Sequence, residues 1–105
     1  MKTRDLFATG VAASFLFVAQ ATAQQPDARQ SAYIAANCAN CHGTTGASGS
    51  AMPSLSGLKK EYVVEQMRAF RDGKRPATIM HQIAKGYTDD QTNGVAEYFA
   101  RQAAK

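Results

Sequence analysis

Few of the usual devices for holding a small protein together, or for doing chemistry unaided, are present in this 105-residue chain. It has two cysteines, Cys38 and Cys41, and two histidines, His42 and His81. No second cysteine pair completes a structural zinc site, because His81 is the one histidine outside the Cys38–His42 cluster. No stretch alternates with period two, which excludes a sheet-based fold and with it the parallel strands of a thioredoxin-like thiol-redox site. There is no internal repeat. No run of basic residues occurs, and the net charge is only +4, so nothing supports nucleic-acid binding. After Ala23 no segment is long or apolar enough to cross a bilayer, and no cysteine directly follows that point to carry a lipid.

The N-terminus reads as an export signal. Lys2 and Arg4 precede an apolar run from Leu6 to Ala19, and Ala21-Thr22-Ala23 supplies the small-residue pattern of a cleavage site. An uncleaved anchor competes with this reading, but Thr9, Gly10 and Ser14 interrupt the run, which is shorter than the roughly 20 apolar residues of a spanning helix. Residues 1–23 are therefore expected to be a signal peptide and 24–105 a single periplasmic domain without stable membrane insertion. Removing Lys2, Arg4 and Asp5 leaves ten basic and seven acidic residues, so +4 becomes +3. A domain this small buries too little apolar surface to be stable by packing alone, which calls for a covalent staple, a metal or a cofactor.

The elements expected in that domain are helical throughout, an all-α class. The Ala-rich segment Arg29 to Ala39 reads as a first helix. Gly43 to Gly57, rich in Gly, Ser, Thr and Ala, reads as an irregular loop of the kind that serves a site. Leu58 to Asp72 carries Leu58, Tyr62, Val63, Gln66, Met67 and Phe70 on one broad stripe, with Gly73 as a left-handed stop and Pro76 barring continuation. A short helical turn is expected over Ile79 to Lys85, ended by Gly86. Thr88 and Gln91 form a capping-box pattern, with Asp89 and Asp90 favourably placed against the helix dipole. The last helix then runs to about Gln102.

Cys38-Ala39-Asn40-Cys41-His42 is the chemistry-bearing pattern, C-x-x-C-H, the signature of c-type haem attachment. On a helix, positions i, i+3 and i+4 share a face. Both thiols can then reach the vinyl groups of one porphyrin while the imidazole stands beneath the iron. A plain disulfide leaves His42 and the long loop without a role. Cys38 and Cys41 are thus expected to hold one covalent haem c, with His42 as an axial ligand. Apo-protein is expected to fold poorly, because the porphyrin supplies apolar area that the side chains alone do not.

The other axial position separates electron transfer from chemistry at an open iron. Met80 heads the candidates, lying well past the attachment site where a returning Pro-bounded loop closes over the opposite face. Met52 lies ten residues past His42 and needs a tight loop around the ring edge. Met67 falls on a helix stripe where methionine usually fills core. His81 and an empty position remain open alternatives. A thioether sulfur stabilises ferrous iron and raises the reduction potential.

Taken together, CANCHG, then Pro53-Ser54-Leu55-Ser56-Gly57 after a Gly-rich loop, a methionine in a later loop and Tyr98 in the last helix resemble the class I cytochrome c family over nearly the whole mature chain. The resemblance implies a small fold of three main helices and a short helical turn, with the first and last helices crossing beside the haem. It also implies that the Pro53 carbonyl accepts a hydrogen bond from His42 and that Met80 is the sixth ligand. Within the family, FRDGKRPATIM and IAKGYTDDQ look most like the cytochrome subunit of flavocytochrome c sulfide dehydrogenases, which implies a flavoprotein partner that oxidises sulfide. Many such subunits carry two haem domains, whereas this chain has one C-x-x-C-H, so a free monohaem carrier is the competing reading.

The leading expectation is therefore an electron carrier and not an enzyme, meeting redox partner proteins through a surface framed by Lys59, Lys60, Lys74, Arg75 and Lys85. The alternatives are a haem enzyme or gas-binding module with an open sixth position, and an exported thiol oxidoreductase without haem.

Overall fold

A computed structural model of the chain describes residues 24–104; the expected signal segment lies outside the described residues. Helices α1 (Ala28–His42), α2 (Lys60–Arg71), α3 (Met80–Ile83) and α4 (Asp89–Ala100) follow one another, with a 3-10 turn at Ala84–Gly86 between α3 and α4. Among the described residues there is no strand, as the all-α expectation required.

Local chemistry accounts for the ends of these elements. Asp27 accepts a hydrogen bond from the Gln30 amide at 2.8 Å while the Gln30 side chain accepts one from the Asp27 amide at 3.2 Å, a capping box that starts α1. Sequence reading ended this helix at Ala39, but it continues to His42, so the Cys-x-x-Cys-His segment is itself the last helical turn. α2 is slightly shorter at both ends than expected, and Gly73, with φ +71°, turns the chain out of it as anticipated. The Thr88–Gln91 capping box starts α4, its two bonds measuring 3.1 and 3.0 Å.

α1 packs on α4, and α2 packs on α4, α3 and the 3-10 turn. Where α1 crosses α4, Gly94 faces Ser31, and a methyl group on Gly94 would collide with the Ser31 hydroxyl. The absence of a side chain there sets how closely the two helices approach. α2 and α4 run antiparallel, since Lys60 reaches Glu97 at 3.5 Å near one end and Arg71 reaches Asp89 at 2.7 Å near the other. These solvent-accessible pairs contribute little energy but mark the register.

Ala35, Val95 and Phe99 form the core cluster, with Ile34, Cys38, Leu55 and Tyr98 packed against it. Phe99 is the one large side chain that is fully buried among the described residues. Its ring meets Tyr98 edge-on at 5.1 Å. A core of two small residues and one phenylalanine is thin, and the remaining apolar side chains point elsewhere.

Candidate cofactor site

Those side chains surround a cavity of about 450 Å³, within the range of sites for small molecules and cofactors. Its wall is drawn from the last turn of α1, the loop before α2, one face of α2, the segment from Arg75 to Met80, and the inner face of α4. Five large hydrophobic side chains are exposed among the described residues, and four of them line this cavity: Met52 (40%), Tyr62 (47%), Ile79 (52%) and Ile83 (36%). Apolar surface left in water is costly at about 25 cal/mol per Å², so the arrangement is that of a wall made to be covered by an apolar group.

Cys38, Cys41 and His42 enter this wall together from the end of α1. Cys38 and Cys41 form no disulfide; Cys41 is exposed, while burial, reinforced by the neighbouring Cys41, pushes the Cys38 thiol above its ordinary value. His42 is buried, and its Nδ1 lies 2.6 Å from the carbonyl oxygen of Pro53. A carbonyl only accepts, so Nδ1 carries the proton and Nε2 keeps its lone pair for a metal. The loop that presents Pro53 is pinned at several points. Leu55 and Ser56 amides donate to the Gly46 carbonyl at 2.6 and 3.2 Å, the Ser48 amide donates to Ser54 Oγ at 2.9 Å, and the Gly57 amide donates to the Phe99 carbonyl at 2.9 Å.

The structure brings three methionines to the same cavity: Met80 from the first residue of α3, Met52 from the loop and Met67 from α2. His81 is not part of the wall, and its Nδ1 is buried without a hydrogen-bond partner. Arg75, which the sequence suggested for the outer docking surface, also lines the cavity, with its guanidinium 4.6 Å above the centre of the Phe70 ring. Arg75 stands beside Pro76, five residues before Met80, in the stretch that closes the site, but the direction of its side chain is set by packing and not by that spacing. Lys59, Lys74 and Lys85 are exposed, and Lys60 is turned toward Glu97.

Two thiols at i and i+3, an imidazole with a fixed tautomer and a broad apolar wall fit haem c in donor chemistry and in shape. Fold and site together define a helical protein built around a covalently attached porphyrin. Comparison with known proteins agrees. Residues 27–102 match the Cytochrome c family model, and the chain belongs to the cytochrome c family, whose members carry covalently bound haem c and transfer electrons.

Among curated relatives, it is 40% identical over 72 residues to the cytochrome subunit of sulfide dehydrogenase from Chlorobaculum tepidum, covering 69% of this chain and 66% of that one. It is 39% identical over 72 residues to a thiosulfate dehydrogenase electron acceptor from Stutzerimonas stutzeri, covering 65% of this chain and 33% of that one. The solved structure of Acidithiobacillus ferrooxidans cytochrome c4 superposes with a TM-score of 0.65 at 32% identity, covering 70% of this chain and 48% of that one. The fold is thus that of the class I cytochromes c, and the chain spans from a third to two thirds of the length of these relatives. Among the described residues no helix is long and apolar enough to cross a membrane.

Proposed function

We propose that this chain is a periplasmic monohaem electron carrier, with haem c bonded to Cys38 and Cys41 and the iron held between His42 and Met80. The observation that carries the reading is the His42–Pro53 hydrogen bond at 2.6 Å beside a cavity that Met80 also lines. Bound haem c supplies a one-electron iron couple. The residues supply the rest. Pro53 holds the imidazole proton on Nδ1 and so fixes the ring's orientation; Met80 offers a soft sulfur that favours the reduced state; the apolar wall keeps water from the ring and limits reorganisation between the two oxidation states. Residues 1–23 serve as the export signal, cleaved after Ala23, and residues 24–105 form the cytochrome domain.

The partner we propose is the flavoprotein subunit of a sulfide-oxidising dehydrogenase. The Chlorobaculum tepidum relative and the FRDGKRPATIM and IAKGYTDDQ segments support it. The single C-x-x-C-H favours a second reading, a free carrier that meets its donor and acceptor in turn.

Purification from cells able to mature c-type cytochromes, followed by reduced and oxidised spectra before and after Met80→Ala, tests the site. Covalent haem with a ferric thioether charge-transfer band that disappears in Met80→Ala, and carbon monoxide binding gained by the reduced variant, is the expected result. Persistence of the band in Met80→Ala moves the ligand to Met52 or Met67. Absence of covalent haem overturns the reading.

A further inference from the structure

From Gln30 to Leu58 the chain carries no aspartate, glutamate, lysine or arginine, although 19% of the whole sequence is charged and a proportional share of these 29 residues would be about five. Part of the run serves the cavity, and its lack of charge there has that cause: Asn37, Cys38, Cys41, His42 and the stretch from Met52 to Leu55 line the wall. The cavity does not account for the rest. Tyr33, Ala36 and Asn40 lie off the wall, and all three are exposed. Tyr33, at 72%, is the most exposed large hydrophobic side chain among the described residues.

Helical spacing joins these residues into one strip. Tyr33, then Ala36 and Asn37, then Asn40 and Cys41 follow at three- and four-residue steps along the outer side of α1. At the end of the strip Cys41, Met52 and Pro53 are exposed on the rim of the same cavity. The exposed lysines belong to other segments: Lys59 and Lys74 flank α2, and Lys85 stands in the 3-10 turn.

A surface that needs only to be soluble is about a quarter to a third charged. Charge is depleted where a partner excludes water, because burying a lysine or glutamate is unfavourable unless it is paired, and tyrosine and methionine are enriched there. A small neighbour such as Ala36 leaves the Tyr33 ring standing proud, the form of an anchor that fills a partner's pocket. The lack of charge also selects the kind of partner. Long-range attraction speeds brief encounters, so a carrier that meets donor and acceptor in turn gains from a charged face, whereas an uncharged face suits a lasting complex.

Resting on the flavoprotein-partner reading above, we infer that the strip from Tyr33 to Cys41, together with Met52 and Pro53, is the surface on which the flavoprotein subunit sits. Tyr33 is the anchor. The facing surface is also uncharged, since a charge buried against this strip would find no counter-charge. Lys59, Lys74 and Lys85 stay outside the contact. Cys41 falls within it, so the proposed point of haem attachment is turned toward the source of electrons.

Holoprotein and the sulfide dehydrogenase flavoprotein subunit of the same organism are purified separately and titrated by calorimetry, and the holoprotein alone is sedimented. The variants are Tyr33→Ala, Ala36→Lys, Ala36→Glu and the combined Lys59→Gln, Lys74→Gln and Lys85→Gln, each checked for folding by its haem spectrum and melting temperature. The expected wild-type Kd changes by less than about threefold between low salt and about 0.5 M salt. Tyr33→Ala and both Ala36 variants weaken binding by about tenfold or more, whatever the sign of the added charge, while the combined lysine variant changes it by less than about threefold. Opposite effects of Ala36→Lys and Ala36→Glu overturn the inference, because the facing surface is then charged. Binding lost in the combined lysine variant but intact in Tyr33→Ala overturns it in favour of the basic frame. Wild-type binding that no variant disturbs places the interface elsewhere and overturns the inference alone. No binding by wild type overturns the flavoprotein reading as well, and a wild-type dimer that Ala36→Glu dissociates then assigns the strip to a second copy of the chain. If either Ala36 variant does not fold, Tyr33→Ala, the lysine variant and the salt series decide.

Discussion

The Nδ1 atom of His42 and the carbonyl oxygen of Pro53, eleven residues apart in sequence, lie 2.6 Å from each other and join the end of α1 to the loop that follows it. This one bond fixes which nitrogen of the imidazole can meet a metal. Replacing Pro53 by Gly keeps the carbonyl but releases the backbone torsion that proline locks. Exchange of the His42 Nδ1 proton, followed by NMR in the reduced holoprotein, is expected to quicken about fivefold, equivalent to about 1 kcal/mol for one hydrogen bond. An unchanged exchange rate would mean that the pinned loop, not the proline ring, holds the carbonyl in place.

Gly94 and Ser31 govern the α1–α4 crossing. Alanine is the better helix former by about 1 kcal/mol, but overpacking a close contact costs about 1–3 kcal/mol. Gly94→Ala is therefore expected to destabilise the holoprotein by about 1 kcal/mol in guanidinium unfolding, through its collision with the Ser31 hydroxyl. In a Ser31→Ala background the same substitution becomes neutral or stabilising, a coupling of about 1 kcal/mol. Equal effects in both backgrounds would dissociate the crossing from this pair.

Asp89 opens α4 and accepts a hydrogen bond from Arg71 at 2.7 Å; that bond, and then the guanidinium charge, hold its carboxyl below the ordinary value of 3.8. A depressed folded-state value stabilises the protein above the ordinary value and ceases to do so as pH falls through the depressed one. Asp89→Asn should therefore lower the melting temperature slightly at neutral pH, with the gap closing in acid below that range. Asp89 is exposed and Arg71 partly so, and added salt should therefore shrink the difference. A gap that widens in acid would contradict the assignment.

Removing the proposed attachment points tests the dependence of the fold on its cofactor. Cys38→Ala combined with Cys41→Ala leaves Met52, Tyr62, Ile79 and Ile83 uncovered around an unfilled cavity. Far-ultraviolet circular dichroism of this variant is expected to show reduced helix content and no cooperative thermal transition. A sharp transition near that of the holoprotein would show that the side-chain core suffices.

Much of this was readable from the residues alone, where local chemistry decides. Thr88 and Gln91 announced α4, Gly73 announced the end of α2, and Cys38, Cys41 and His42, singled out by their spacing, fold onto one cavity wall. The first helix was placed three residues short, ending at Ala39 inside the cysteine motif, whereas the whole motif belongs to the helix. Its Asp27–Gln30 capping box has the same form as the one at Thr88 and was available to the same reasoning. Arg75 was not legible as a cavity residue, because its direction depends on where Phe70 and Gln66 stand once α2 is packed. Likewise the competition among Met80, Met52 and Met67 is tertiary: sequence spacing assigned them different roles, yet folding brings all three to one wall.

The amide of Gly57 is tied to the carbonyl of Phe99, so the loop that carries Pro53 is closed by the last helix of the chain. The tie therefore joins segments far apart in the chain: the thiols and the imidazole belong to α1, whereas the closure of the loop that orients the imidazole depends on α4. A chain cut before α4 would keep Cys38, Cys41 and His42 but lose the hydrogen bond that closes the Pro53 loop.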